Sequence, residues 1–155
     1  MIHTEKEYQR AIKQVEATEK GTANQRAELL KKDMSADQIK RLLDPGLSLL
    51  EDMKDEIQWY ERAKKGIFYP VTDLESLGRT LVALRISSGL TQEELASKLG
   101  VTQPQVSRDE NEEYHAITVE RAQKILAVFG ARLESKVIMT PPHHGETPLG
   151  SRKAA

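Results

Sequence analysis

Hydrophobic residues recur at every third or fourth position along most of this chain, which is the spacing of one face of an α-helix. The pattern is clearest over residues 8–15, 47–60 and 119–129. Charged residues fill the positions between, so each helix would carry one apolar stripe and one solvated face. The pattern therefore predicts an all-α chain with at most a short stretch of other structure.

Residues 1–66 are predicted to form a helical, coiled-coil-like region that is rich in charge. Thr4 and Ser35 each stand three residues before a glutamate or glutamine, which is the capping-box spacing of a helix start. Gly21 is expected to close the first helix, and Pro45 to end or kink a later one, because proline lacks the N–H that a helix interior needs. This region would serve for dimerisation or for binding a partner.

A narrow apolar stripe with charged flanks follows Pro45. Its members recur at helical spacing and are Leu47, Leu50, Met53, Ile57 and Tyr60. The stripe could pack within the chain, on a second copy or on another protein, and the sequence leaves all three open. We interpret the adjacent Trp59 and Tyr60 as packing residues and not as a ligand cage.

A linker at residues 67–72 leads to a second unit, residues 73–139, which contains the stretch LTQEELASKLGVTQPQVSRDE. Thr91 and Thr102 each precede a glutamate or glutamine by three residues, so each is expected to cap a short helix through its side chain. Gly100 lies between the two helices, and glycine adopts the positive φ that ends a helix sharply. Two short capped helices around a glycine turn predict a helix-turn-helix.

Residues 132–139 alternate apolar and polar side chains, which is the two-residue period of a β-strand. We therefore predict that the second unit ends in one short strand. The tail, residues 140–155, is rich in proline and glycine and is predicted to be disordered. His143 and His144 lie in this tail without a third ligand nearby, so we assign no metal site to them.

Composition and charge narrow the functional classes. No apolar run approaches the length that crosses a bilayer, and the absence of cysteine excludes disulfides and thiolate metal sites and fits a reducing cytoplasm. We find no Ser/His/Asp spacing, phosphate loop or metal cluster, so we assign no catalytic residue, metal or cofactor. Residues 71–139 contain 8 Lys and Arg against 10 Asp and Glu, a net charge of −2. Any binding of nucleic acid must therefore depend on a local patch.

From Leu77 to Glu134 the chain resembles the Cro/cI-like (XRE family) helix-turn-helix domains of phage repressors and bacterial regulators. The resemblance rests on LRISSGLTQEELASKLGVTQPQVSRDENE and, after a short loop, on ITVERAQKILAVFG. It covers roughly the C-terminal half of the chain. The resemblance implies a lambda-repressor-like fold that binds double-stranded DNA.

The resemblance also implies roles for individual residues. Gln92 would contact a DNA phosphate, and Arg85 would pair with Glu110 to tie the domain's first helix to the end of the recognition helix. Asn111 and the loop to His115 would meet the DNA backbone. The groove-facing side of the recognition helix would consist of Thr102, Gln103, Pro104, Ser107 and Arg108.

Two of these side chains suit base reading on chemical grounds alone. The Gln103 amide can donate to and accept from adenine, and the Arg108 guanidinium matches guanine in the major groove. Asp109 departs from the family pattern because it occupies a position that is usually apolar. Ser87 and Ser88, just before Gly89, stand where the family often has basic residues. Their presence removes positive charge that would bind phosphate.

Tyr114 and His115 are open to two interpretations. They would either contact a DNA phosphate or only cover the edge of the core.

Two functions are compatible with the resemblance. The first is a sequence-specific DNA-binding transcriptional regulator, favoured as a repressor, that binds a palindromic operator as a homodimer. The second is the antitoxin of a type II toxin–antitoxin module, which would bind its own operator and neutralise a toxin through the N-terminal helices. The homodimer is expected because the strand and the apolar stripe would each need a partner. Either protein would act in the cytoplasm, on the bacterial nucleoid, without contact with a membrane.

Overall fold

The computed structural model describes residues 1–32 and 34–139, and every regular element in those ranges is an α-helix. The all-α prediction is confirmed for that part of the chain. The predicted disordered tail, residues 140–155, lies outside the described residues, as do His143 and His144 within it. In chain order the helices are α1 (Glu5–Leu30), α2 (Ala36–Lys64), α3 (Leu74–Ser87), α4 (Gln92–Leu99), α5 (Gln103–Asn111) and α6 (Val119–Val128).

Helices α1 and α2 pack against each other as a long antiparallel hairpin. Tyr8 stacks on Tyr60 with ring centroids 5.0 Å apart, and further along α1 the Glu19 carboxylate lies 2.5 Å from Lys54 Nζ. The apolar stripe after Pro45 packs within the chain over most of its length, since Leu50 and Tyr60 are buried, while Leu47 at its start stays 39% exposed. It therefore gives no reason of its own for a second copy.

The expected end of the first helix at Gly21 is wrong, and the second helix does not end at Pro45. Helix α1 continues through Gly21 to Leu30, and α2 contains Pro45 in its interior. Both residues are exposed, and the local cost of a glycine or proline is a few kcal/mol at most. Burial of Leu43 before the proline and of Leu50 after it favours one continuous helix strongly enough to outweigh that cost.

Helices α3 to α6 surround a compact apolar centre. The side chains of Leu81, Leu95, Val106 and Ile125 are fully buried. Thr91 forms the predicted capping box, and Gly100 ends α4 with φ of 68°. Thr102 stands before α5 as expected, but its side chain makes no capping hydrogen bond, so that part of the prediction is wrong.

The hairpin and the helix-turn-helix unit share one core. Trp59, Tyr60 and Ala63 of α2 pack with Leu77 and Leu81 of α3. The segment before α1 enters the same core, because Ile2 and His3 are each only 4% exposed. The N-terminal region therefore rests directly on the first helix of the predicted DNA-binding unit.

The loop from α5 to α6 presses closely on α3. Glu113, Tyr114 and Ala116 all have positive φ, between 49° and 60°, a conformation that residues other than glycine seldom adopt. A Cβ atom on Gly78 of α3 would lie 1.7 Å from the Glu113 carbonyl oxygen. The absence of a side chain at Gly78 therefore lets the loop approach.

The predicted strand at residues 132–139 is wrong. Residues 131–139 have no regular structure, and Val137, Ile138 and Met139 are 89, 73 and 90% exposed. A strand needs a neighbour to satisfy its backbone N–H and C=O groups, and the described part of the chain supplies no other strand. Alternation of side chains alone does not form one.

Candidate nucleic-acid interface

The contact between α4 and α5 directs one side of α5 outward. Ala96 of α4 is 2% exposed, and its small side chain lets the fully buried Val106 of α5 approach. The opposite side of α5 is accessible to a ligand. There the structure places Thr102, Gln103, Pro104, Arg108 and Asn111 as exposed residues and Ser107 as a half-buried one.

Arg85 of α3 and Glu110 of α5 meet below this surface. Arg85 Nε donates to Glu110 Oε1 at 2.5 Å, and Arg85 Nη2 donates to Oε2 at 2.7 Å. The side chains are 5% and 0% exposed. Two parallel charge-assisted hydrogen bonds of this kind fix both the distance and the relative orientation of α3 and α5.

A chain of amide hydrogen bonds extends from this pair to the exposed start of α5. Gln92 Nε2 donates to Glu110 Oε2 at 2.9 Å, and Gln92 Oε1 accepts from Gln103 Nε2 at 3.0 Å. The buried carboxylate therefore sets the orientation of the Gln92 amide, and Gln92 in turn sets that of Gln103. The structure thus joins the expected Arg85–Glu110 pair to Gln92 and Gln103, for which the resemblance implied separate contacts with DNA.

Two further N–H donors of Arg85 bind backbone carbonyls. Nη1 donates to the Leu90 carbonyl and Nη2 to the His3 carbonyl, both at 2.9 Å. His3 was not identified from the sequence, because a backbone carbonyl has no residue-type signature. Through this contact the segment before α1 supplies one of the hydrogen-bond partners of the buried guanidinium.

His3 itself is buried beside these charges. In the described structure its Nε2 has no hydrogen-bond partner, and Nδ1 lies 4.0 Å from Glu7 Oε2. Burial lowers the pKa of the imidazole below its usual value, although the Glu110 and Glu7 carboxylates act in the opposite direction. The neutral form is therefore the favoured one in the folded protein.

Asp109, which departs from the family pattern, has a partner on another helix. Its carboxylate accepts from Arg121 Nη2 of α6, and both side chains are about one quarter exposed. The charge at this position is thus compensated across the domain. An ion pair takes the place of the apolar contact that the family pattern would supply.

The structure distinguishes the two interpretations of Tyr114 and His115, a contact with a DNA phosphate or coverage of the core edge. Tyr114 is 5% exposed and belongs to the core, where burial and then the nearby Glu110 raise the pKa of its phenol. His115 is exposed on the loop that follows Asn111, the last residue of α5. Tyr114 therefore covers the core, and His115 is the one of the two that a phosphate could reach.

The described residues contain no group of three or more His, Cys, Asp or Glu side chains that could hold a metal ion. Among the helices described, none is both long and apolar enough to cross a membrane.

The comparisons with known proteins agree with the geometry of α3 to α6. Residues 81–135 match the model of the helix-turn-helix family. The chain has no match among curated proteins or among solved structures. The matched segment includes Arg85, Gln92, Gln103 and Glu110, so the family assignment and the hydrogen-bonded chain concern the same helices. Residues 81–135 therefore form a helix-turn-helix of the Cro/cI-like (XRE family) type, and this domain supports a DNA-binding transcriptional regulator.

Proposed function

We propose that this protein represses transcription by binding a palindromic operator as a homodimer, with Gln103 as its principal base-reading residue. The observation that carries the proposal is the chain of hydrogen bonds from buried Glu110 through Gln92 to Gln103. An exposed glutamine that is held in one orientation before DNA arrives loses little side-chain freedom on binding.

The hydrogen bonds that Gln103 retains are those needed to read adenine. A glutamine amide has two N–H donors and one carbonyl acceptor. One N–H is used on Gln92, which leaves one donor and the acceptor. Adenine presents N7 as an acceptor and N6 as a donor in the major groove, so Gln103 can bind it with two hydrogen bonds.

Arg108 would reach the DNA from another direction. It lies five residues after Gln103, which corresponds to about 140° around the helix at 3.6 residues per turn. Both side chains are exposed, and both are long enough to reach from the flanks of one groove-facing surface. Arg108 would therefore extend along the groove to a guanine or a phosphate, with Thr102, Pro104, Ser107 and Asn111 lining the contact.

A homodimer is supported by apolar surface at the end of the domain. Val137, Ile138 and Met139 are all more than 70% exposed in the single chain. A second copy would remove this surface from water, and two copies of α5 would then read two half-sites about 10 base pairs apart or a multiple of that. Sedimentation at micromolar protein concentration should show a dimer. A monomer at that concentration would contradict the proposed homodimer.

Binding-site selection tests the reading role directly. The wild type and Gln103→Ala are compared at the same fixed salt concentration, because affinity for DNA depends strongly on salt. The substitution should change the preferred base at one position in each half-site and cost about 1–3 kcal/mol of discrimination there. If the variant loses affinity equally for all sequences, Gln103 anchors the protein and Arg108 becomes the candidate reader.

The hairpin supports an antitoxin as a second candidate function. Leu30, Leu42 and Leu49 are each more than half exposed, although they lie on or beside helices that are otherwise charged on their outer faces. Such residues are suited to contact a protein partner. Co-expression with the product of an adjacent reading frame, followed by pull-down, separates the two candidates: a complex lost in Leu42→Glu/Leu49→Glu supports the antitoxin, and the absence of any complex argues against it.

A further inference from the structure

A cleft of about 480 Å³ lies between the hairpin and the predicted DNA-reading residues. From the hairpin it is lined by Glu5, Tyr60 and Lys64, and from the helix-turn-helix by Gln92, Glu93 and Gln103. A ligand bound to Gln92 and Gln103 would therefore lie at the mouth of a cleft whose other wall is the hairpin.

Lys64 is held at a defined place on that wall. Its ammonium lies 2.8 Å from Glu5 Oε2 and 5.9 Å from the ring centroid of each of the stacked Tyr8 and Tyr60. The side chain is nevertheless 48% exposed. An ammonium has three donors, so Lys64 can keep the Glu5 contact and still bind an oxygen from solution.

The helix-turn-helix supplies little positive charge on its own side of the cleft. The first turn of α4 contains Glu93 and Glu94. The two positions before Gly89 are the uncharged Ser87 and Ser88. Arg85 also lines the cleft, but it is buried and four of its five N–H donors are used within the protein. Among the described lining residues, Lys64 is the exposed cation.

We propose that Lys64 binds a phosphate of the operator, next to the one contacted by Gln92, so that the hairpin forms part of the DNA-binding surface. This proposal rests on the proposed function, since it needs DNA seated on Gln92 and Gln103. Glu5 has two opposing effects: it orients the lysine, and its carboxylate repels the phosphate that the lysine attracts. The protein thus obtains from the N-terminal region a charge that the acidic helix-turn-helix unit lacks.

Lys64→Gln tests the contact through the salt dependence of operator binding. Each phosphate neutralised on B-DNA contributes about 0.9 to the slope of log K against log salt. The variant should therefore reduce the magnitude of this slope by about 0.9 per subunit, so that its loss of affinity is roughly eightfold greater per subunit at 0.1 M than at 1 M salt. The loss should be the same for every sequence, because a phosphate contact positions the protein without reading bases.

Lys54→Gln is the matched control. Lys54 lies on the same helix, pairs with Glu19 of α1 at 2.5 Å and is 49% exposed, nearly as Lys64 is. It does not line the cleft. This variant removes the same charge and the same kind of ion pair, and it should leave the slope close to that of the wild type.

Glu5→Gln distinguishes a phosphate contact from a structural role of the pair. If the pair only stabilised the hairpin, Lys64→Gln and Glu5→Gln would both weaken binding. If Lys64 binds phosphate, Glu5→Gln removes a repulsive charge and should tighten binding while Lys64→Gln weakens it. Should Lys64→Gln fail to fold, Lys64→Arg retains the charge, and the sign of the Glu5→Gln effect decides.

An unchanged salt slope in Lys64→Gln, or weaker binding in Glu5→Gln, would overturn the proposal while leaving the reading role of Gln103 intact. A wild type that selects no DNA sequence would instead remove the proposed function, and this proposal with it. The two failures are distinguished by the wild-type selection alone.

Discussion

Arg85 and Glu110, 25 residues apart in the chain, form a buried bidentate pair that holds the helix with the proposed DNA-reading residues against α3. The Glu110 carboxylate is fully buried and has a third partner in the Gln92 amide. The pair therefore serves two purposes, since it holds α5 against α3 and sets the direction of Gln92. Its loss should be visible in the free energy of unfolding and in the reading of DNA.

Loss of one member of the pair should cost more stability than loss of both together. Arg85→Met leaves a fully buried carboxylate without its cation, and an uncompensated buried charge costs about 3–5 kcal/mol. In the double variant Arg85→Met/Glu110→Gln no charge is left buried, and the amide oxygen can still accept from Gln92. Urea unfolding of both single variants and the double variant measures the coupling; additive free energies would contradict it.

Local sequence signals predicted the elements whose cause is local. The Thr4, Ser35 and Thr91 capping boxes form as their spacing indicates, and Gly100 takes the left-handed conformation that ends α4. The resemblance to the Cro/cI-like domains, rather than periodicity, indicated the pairing of Arg85 with Glu110. Within 81–135 most of the candidate site could therefore be named before the structure.

Features that depend on distant contacts could not be predicted in this way. Glycine and proline disfavour a helix locally, yet α1 continues past Gly21 and α2 past Pro45. Packing along the whole hairpin stabilises both helices. Arg121 is separated by 12 residues from Asp109, and nothing in the spacing indicates their ion pair. The Arg85 contact with the backbone carbonyl of His3 spans 82 residues and involves no side-chain type at its acceptor.

Gln92→Ala should have a mixed effect on DNA binding. The phosphate contact that the resemblance implies for Gln92 would by itself give a uniform loss of affinity, because such a contact carries no base information. The structure adds a second effect, since the Gln92 carbonyl oxygen orients Gln103. We therefore expect weaker binding to all sequences together with reduced discrimination at the base that Gln103 reads, measured by binding-site selection. A uniform loss with full discrimination would show that Gln103 needs no support from Gln92.

His3 should make the protein less stable as the pH falls. Its pKa is lowered in the folded state, so below the ordinary histidine value of about 6.5 the unfolded chain takes up the proton more readily than the folded one. Stability is therefore full above pH 6.5 and declines as the pH falls through the interval down to the lowered pKa. The slope for one such proton cannot exceed about 1.4 kcal/mol per pH unit.

Unfolding free energies of the wild type and His3→Gln between pH 7.5 and 5.5 measure this contribution. The variant should be less pH-dependent, because glutamine occupies the site without titrating. His115→Gln is the control, since His115 is exposed on the loop after α5. An equal pH dependence in the wild type and His3→Gln would show that the imidazole is protonated as easily when folded as when unfolded.

Two glycine-to-alanine substitutions in helices should change stability in opposite directions. Alanine favours a helix over glycine by roughly 0.5–1 kcal/mol, so an unobstructed site should gain about that much. At Gly21 of α1 a Cβ meets nothing within 4 Å, and Gly21→Ala should raise the free energy of unfolding accordingly.

At Gly78 of α3 the Cβ would lie 1.7 Å from the Glu113 carbonyl oxygen, a backbone atom that cannot rotate away. Gly78→Ala must displace the loop and should cost about 3 kcal/mol, toward the upper end for overpacked sites. Urea denaturation of both variants gives the comparison; a stabilised Gly78→Ala would mean that the loop from α5 to α6 does not rest on α3 in solution.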